Sequence, residues 1–191
     1  MDSFSDLVLR NRSYRRFQQQ RRVARQTLVD LVDLARQSGS AANRQPLRYM
    51  LFHSEEACAR IFAHLKWAAL LKGWGGPSEG ERPAAYLLVL GNPADGGMPP
   101  CDAGIAMQTL LLAATARGLG GCMLGAIDRP KLVAACRVPE GMELLFVVAL
   151  GYPTETVVLE EAVNGDIGYY RDAGGVHHVP KRPLREVLLP E

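Results

Sequence analysis

The chain has 191 residues, 48% of them apolar and 22% charged, with a formal net charge of +2. That is the length of one ordinary domain (residues 1–191), apolar enough for a real core and too weakly basic for a broad nucleic-acid footprint. Its four cysteines, Cys58, Cys101, Cys122 and Cys136, form no C-x-x-C pair, which argues against a zinc ribbon or a redox dithiol.

In chain order, a short helix is expected over Ser3 to Leu9. Arg10 to Arg25 then holds seven arginines. A second helix follows, with Thr27 and Asp30 as its capped start and Leu28, Leu31, Val32, Leu34 and Ala35 as its apolar stripe. Ser38-Gly39-Ser40 stops it, and Arg48 to His53 reads as a strand. Ser54 caps the next helix, with Glu55 and Glu56 at its positive end. Gly73 to Arg82 is rich in glycine, proline and charge, so it reads as a mobile loop. Ala85 to Leu90 is a continuous apolar run of the kind a buried strand carries.

Asp102 to Arg117 is the strongest helix and is apolar almost all round, so it needs cover on most sides. A dimer interface and a central core position both supply that cover. Gly121 to Ile127 reads as a strand, and Asp128 with Pro130 opens a helix to Cys136. Glu143 to Leu150 is a third apolar strand, and Gly165 onward reads as irregular up to a short helix near Leu184 to Leu188. The longest apolar run, Ile105 to Ala116, is too short to span a bilayer, and the start lacks a charged-then-apolar leader. The expectation is a soluble, cytoplasmic protein without a membrane partner.

Three separated polar segments are candidates for chemistry. Arg12, Ser13 and Arg15 suit phosphate oxygens, because a guanidinium presents a fork of donors and a hydroxyl adds another. A solvated basic segment explains the same residues equally well, and a nucleic-acid arm explains them less well because no aromatic platform accompanies them. Asn43 and Gln45, in Ser40 to Pro46, carry donor and acceptor groups that suit the pyrimidine edge of a flavin; a polar turn is the plainer reading. Gly118-Leu119-Gly120-Gly121 follows a helix and precedes a strand, the reverse of a dinucleotide fingerprint, and lacks the third glycine. His177 and His178 are adjacent, so an extended chain points them to opposite sides and a shared metal is not expected. Cys122 reads as a buried, inert thiol.

Taken together, Arg12-Ser13-Tyr14-Arg15, Ser40 to Pro46, Asp102-Ala103-Gly104, Gly118-Leu119-Gly120, Gly151-Tyr152-Pro153 and Lys181-Arg182 resemble the motifs of the nitroreductase family of FMN oxidoreductases. The resemblance covers nearly the whole chain. It implies an α+β fold, an α/β sandwich in which a mixed, mostly antiparallel sheet is flanked by helices, assembled as a domain-swapped type of homodimer with two FMN sites at the interface. It implies that Arg12, Ser13 and Arg182 hold the FMN phosphate, with Lys181 ranked behind Arg182. Arg15 would approach the N1/O2 side of the ring, and Asn43, with Gln45 beside it, the pyrimidine edge. Backbone amides near Leu124 and Gly125 would face N5. Two departures from the family pattern are Asn11, where many relatives have arginine, and Leu47, where tryptophan often follows Q-P.

The activity implied is ping-pong reduction of small electron-poor acceptors, nitroaromatics or quinones, with NAD(P)H as a visiting reductant and no protein nucleophile or metal. Dehalogenation, ring oxidation and flavin breakdown occur on the same scaffold and stay open. So does a non-enzymatic basic module built on Arg10 to Arg25. The helical insertion that walls the substrate pocket of classical members is reduced here to Trp67 to Arg82, and Gly73 to Arg82 would border that pocket.

Overall fold

Four strands form the central sheet: β1 (Leu47–Phe52), β2 (Ala85–Gly91), β3 (Gly120–Leu124) and β4 (Glu143–Gly151). The computed structural model describes residues 3–190. The strand order is β1-β2-β4-β3, and every neighbouring pair is antiparallel. β2 is buried along its whole length, as its unbroken apolar sequence requires. Alternation divides its side chains. Ala85, Leu87 and Val89 pack in one core with α2 (Arg25–Ala35) and α4 (Pro99–Ala116). Tyr86, Leu88 and Leu90 pack in a second core with α3 (Glu55–Phe62) and α5 (Arg129–Cys136). The result is a sheet with helices on both faces, as expected.

The ladder between β2 and β4 carries a bulge: Val89 opposes Phe146, whereas Leu90 opposes Leu144. The extra residue, Leu145, moves its neighbours to opposite faces, so Leu144 and Val147 share a core. Arg129 secures this irregularity, its Nε donating to the Leu144 carbonyl at 3.1 Å and its Nη2 to the Leu145 carbonyl at 3.0 Å.

Side-chain caps close some helix starts and not others. Ser3 and Asp6 form a capping box at α1 (Phe4–Arg10), and Ser54 and Asp128 accept backbone N–H groups at α3 and α5. The expected cap at Thr27 is not formed: α2 starts at Arg25 behind Ala24, without a side-chain cap. Packing of Leu28, Leu31 and Ala35 into the core fixes that helix instead. α4 starts three residues earlier than the sequence suggested, with Pro99 and Pro100 in its first turn, where a missing N–H costs nothing. Within one chain Gly104, Ile105 and Gln108 remain exposed.

The tail read as irregular is in fact ordered by a second sheet, in which β7 (His177–Lys181) lies between β5 (Val157–Glu161) and β6 (Tyr170–Arg171). β5 is parallel to β7 and β6 antiparallel to it. α6 (Leu184–Val187) follows. Short strands with polar and histidine-rich sequence gave no periodic signal.

The arginine segment lies as a strap along the β3–β4 edge. Ser13 bridges Gly121, and Phe17 bridges Pro153. Phe17 is fully buried, which stabilises the strap by roughly 1.5–3 kcal/mol. Two glycines make room. A Cβ on Gly151 would lie 2.9 Å from the Phe17 ring, and one on Gly120 would lie 2.6 Å from the Tyr14 ring. No helix among the described residues is long and apolar enough to cross a membrane.

Candidate functional site

The strap and the second sheet meet around a cavity of about 320 Å³. Arg12, Ser13 and Arg15 line it from the strap; His177, Val179 and Lys181 line it from β7, with Tyr169 beside them. Residues more than 160 positions apart in sequence, such as Ser13 and Lys181, are thereby brought to one wall. The lining holds three cations and no carboxylate. Arg12 Nη2 donates to the Val8 carbonyl at 2.6 Å, but its Nε is buried without a partner. Burial pushes the Arg12 guanidinium below its ordinary pKa, against an opposing effect of Tyr14. An anionic ligand fits this wall, and a phosphate with several acceptor oxygens fits it well.

Arg15 is held from several sides. Its Nη1 donates to the Ser13 carbonyl and to His177 Nε2, each at 3.2 Å. Its guanidinium lies 5.1 Å from the centroid of the Tyr169 ring. The Arg15 and Arg16 backbone N–H groups both donate to Glu155 Oε1. Glu155 Oε2 accepts from Arg171 Nη2 at 2.8 Å, and the Glu155 side chain is fully buried. One carboxylate therefore ties the strap to β6. Glu155, Tyr169 and His177 were not recognised as site residues from the sequence. A lone glutamate in an aperiodic stretch carries no signal, and His177 was read as an ordinary histidine.

Asn43 and Gln45 lie elsewhere. Gln45 lines a separate cavity of about 170 Å³ with Ser40, Arg48 and Asp102. The turn is conformationally unusual: Ala42, Asn43 and Gln45 all have positive φ, at 50°, 53° and 49°. Non-glycine residues adopt that region at a cost and persist there only when their surroundings hold them. Here the anchor is Asp102, which is 2% exposed and accepts from the Ser40 hydroxyl at 2.5 Å and from the Ala41 N–H at 3.2 Å. Ser40 Oγ in turn accepts from the Gln45 N–H at 2.9 Å. Asp102 thus acts as the clamp of the Ser40–Gln45 turn; the sequence reading made it the residue that opens α4.

Arg182 does not join Arg12 and Ser13. It lines a neighbouring groove with Glu161 and Leu184, which Lys181 also borders, and its Nη1 pairs with Glu186 Oε2 at 3.4 Å. Lys181, ranked second from the sequence, is the tail cation on the cavity wall. Lys181 ends β7 on the same face as His177 and Val179, and Arg182 lies just beyond the strand. Leu124 is buried in the core at the end of β3, and Gly125 is exposed just beyond it. Cys122, also on β3, lies beneath Ser13 and Arg15, and burial pushes its thiol up. Such a thiol is a poor nucleophile.

The strap's other arginines are engaged in the fold. Arg16 pairs with Glu81 at 2.6 Å, Arg22 pairs with Glu55 at 2.5 Å, and Arg21 stacks 3.4 Å from the Tyr152 ring centroid. This is not the geometry of a free basic arm. From the glycine-rich loop, Trp74 lines an open cavity of about 500 Å³ with Leu70, Lys72 and Tyr170. Tyr169 links the two regions, because its hydroxyl accepts from the Leu70 N–H at 3.3 Å.

Comparison with known proteins gives consistent relatives. The model of the nitroreductase family matches residues 8–152. A protein of Archaeoglobus fulgidus, provisionally named NADH dehydrogenase/NAD(P)H nitroreductase, is 24% identical over 170 residues, covering 85% of this chain and 92% of that protein. A provisionally named nitroreductase of Desulfovibrio desulfuricans, solved in complex with FMN, superposes with a TM-score of 0.73 at 23% identity, covering 100% of this chain and 98% of that one. A Staphylococcus epidermidis protein, provisionally named NAD(P)H:FMN oxidoreductase, superposes with a TM-score of 0.75 at 12% identity, covering 100% and 97%. At these identities the solved structures share the fold.

Proposed function

The chain belongs to the nitroreductase family, and from that premise we propose that it is an FMN-dependent oxidoreductase that uses NAD(P)H to reduce small electron-poor acceptors of the nitroaromatic or quinone kind. The observation that carries this reading is the cavity where Arg12, Ser13, Arg15 and Lys181 converge without a carboxylate.

In this reading Arg12, Ser13 and Lys181 hold the FMN phosphate, and Arg15 faces the N1/O2 edge of the ring. When bound, FMN supplies the two-electron chemistry between the nicotinamide and the acceptor. The protein's part is to orient and to set charge. A cation at the N1/O2 edge stabilises the negative charge of reduced flavin, so Arg15 favours electron uptake. Leu124 fixes the end of β3, leaving the Gly125 backbone next to the ring's reactive side. The loop carrying Trp74 limits which acceptors approach.

The pyrimidine edge belongs to Asn43 and Gln45, which one chain places outside the phosphate cavity. A second copy is proposed to supply them, giving a homodimer with two sites. Support comes from the exposed apolar residues of three helices: Phe4 and Leu9 of α1, Ile105 of α4 and Val187 of α6. Exposed apolar side chains are what a second copy would cover.

The test is the visible spectrum and bound-ligand mass of the purified protein, followed by NADH and NADPH oxidation with nitro and quinone acceptors. A yellow protein whose flavin is bleached by a reduced nicotinamide and restored by an acceptor is expected. A folded, colourless protein that takes up no FMN at saturating concentration overturns the reading.

A further inference from the structure

We propose that His177 is a positioning residue that holds the Arg15 guanidinium against the cavity as a neutral acceptor, and so sets both FMN affinity and the ease with which bound FMN is reduced. The inference rests on the reading of the cavity as an FMN site.

Among the described residues no carboxylate pairs with the Arg15 guanidinium. Glu155, the acid behind it, is occupied by two backbone N–H groups and by Arg171. The side-chain contacts of Arg15 are instead a carbonyl, an imidazole nitrogen, an aromatic face and the Cys122 thiol. A guanidinium only donates, so His177 Nε2 must accept and Nδ1 must carry the ring's hydrogen. The imidazole is therefore neutral. Burial, then the Arg15 and Arg171 charges, lower the His177 pKa and keep it so, against the opposing Glu155; His178, next in the chain, adds to the lowering.

Neutrality is the point of the arrangement. An aspartate or glutamate at position 177 would orient Arg15 as well, but its charge would cancel the cation's field at the cavity. An imidazole orients the guanidinium and leaves the full positive charge available to the ligand. His177 Nδ1–H is itself buried on this residue without a partner, and the ring lines the cavity wall.

The experiment measures FMN dissociation constants and two-electron midpoint potentials for His177→Phe, His177→Gln and His177→Glu, in wild-type and Arg15→Met backgrounds. His177→Phe removes the acceptor and is expected to weaken FMN binding about tenfold, the scale of a hydrogen bond to a charged group. Reduced FMN should lose about tenfold more affinity than oxidised FMN, which is about 30 mV toward negative potential. His177→Gln, which keeps a neutral acceptor, should stay near wild type. His177→Glu should lower the potential while retaining binding. In the Arg15→Met background neither His177→Phe nor His177→Gln should shift the potential further.

Wild-type constants in His177→Phe, or an effect of the same size without Arg15, overturn the inference while the FMN reading stands. If the phenylalanine variant does not fold, an unchanged potential in His177→Glu overturns it equally. Wild-type protein that binds no FMN overturns the functional reading and this inference with it.

Discussion

The Ser40 hydroxyl donates to the buried carboxylate of Asp102 at 2.5 Å, joining the turn that holds Asn43 and Gln45 to the first turn of α4. Three positive-φ residues are stacked on this one contact. Asp102→Ala leaves the Ser40 hydroxyl and the Ala41 N–H without their acceptor. A loss of about 2–3 kcal/mol in unfolding free energy is expected from hydrogen bonds to a buried charge. FMN affinity should fall as well, because the turn would leave its strained geometry. Urea denaturation and a flavin fluorescence titration check the two effects separately; an Asp102→Ala protein with wild-type stability would contradict the clamp.

Gly120 is a packing requirement. A Cβ there would lie 2.5 Å from Pro153 and 2.6 Å from the Tyr14 ring. Gly120→Ala should cost about 1–3 kcal/mol by overpacking. The displaced strap carries Arg12, Ser13 and Arg15, so FMN binding should weaken with it. A variant as stable as wild type would show that the strap relaxes freely.

Lys181 and Arg182 separate two readings of the basic tail. Lys181→Met should weaken FMN binding several-fold, on the scale of one charge-assisted contact. Arg182→Met should leave binding within about twofold, since Arg182 already pairs with Glu186 and faces another groove. Isothermal titration of both variants decides the matter, and the reverse order would restore Arg182 as the phosphate ligand.

The neighbouring histidines predict opposite pH dependences. Both His178 ring nitrogens face carboxylates, Glu160 at 3.0 Å and Asp172 at 3.2 Å, which suits the imidazolium. Those hydrogen bonds, Glu160 first, raise the His178 pKa. Its stabilisation is fully present below its ordinary value of about 6.5 and is lost as the pH rises through the raised value. His177, lowered chiefly by burial, behaves in the other sense. Its contribution is complete above about 6.5 and is lost as the pH falls toward the lowered value. The stability gap between wild type and His178→Asn should therefore shrink from pH 6 to pH 8, and the gap to His177→Gln should shrink as the pH falls. Urea midpoints between pH 6 and 8 test the first sign, and midpoints carried below about pH 6.5 test the second.

Ile105 lies on the exposed face of α4 at 44% exposure. If a second copy covers that face, Ile105→Glu should shift the protein toward monomer in sedimentation and lose FMN in proportion. Dimerisation and binding that both survive the change would place the interface elsewhere.

The layered fold was legible in the sequence because burial writes itself as pattern. The unbroken run of β2 and the stripe of α2 announced buried surfaces, and Ser3, Ser54 and Asp128 marked helix starts through their own side-chain chemistry. The residue types of the candidate site, Arg12, Ser13, Arg15, Asn43 and Gln45, were also evident, since local composition names donors and cations. What the sequence could not hold was proximity. That Lys181 meets Arg12 depends on which face of β7 turns toward the strap, and β7 exists only because β5 and β6 pair with it. Glu155, Tyr169 and His177 acquire meaning only when the tail folds back over residues 12–16. Composition and periodicity are local properties of a chain. The direction and company of a charge are set by contacts across more than a hundred residues, and tertiary structure alone decides them.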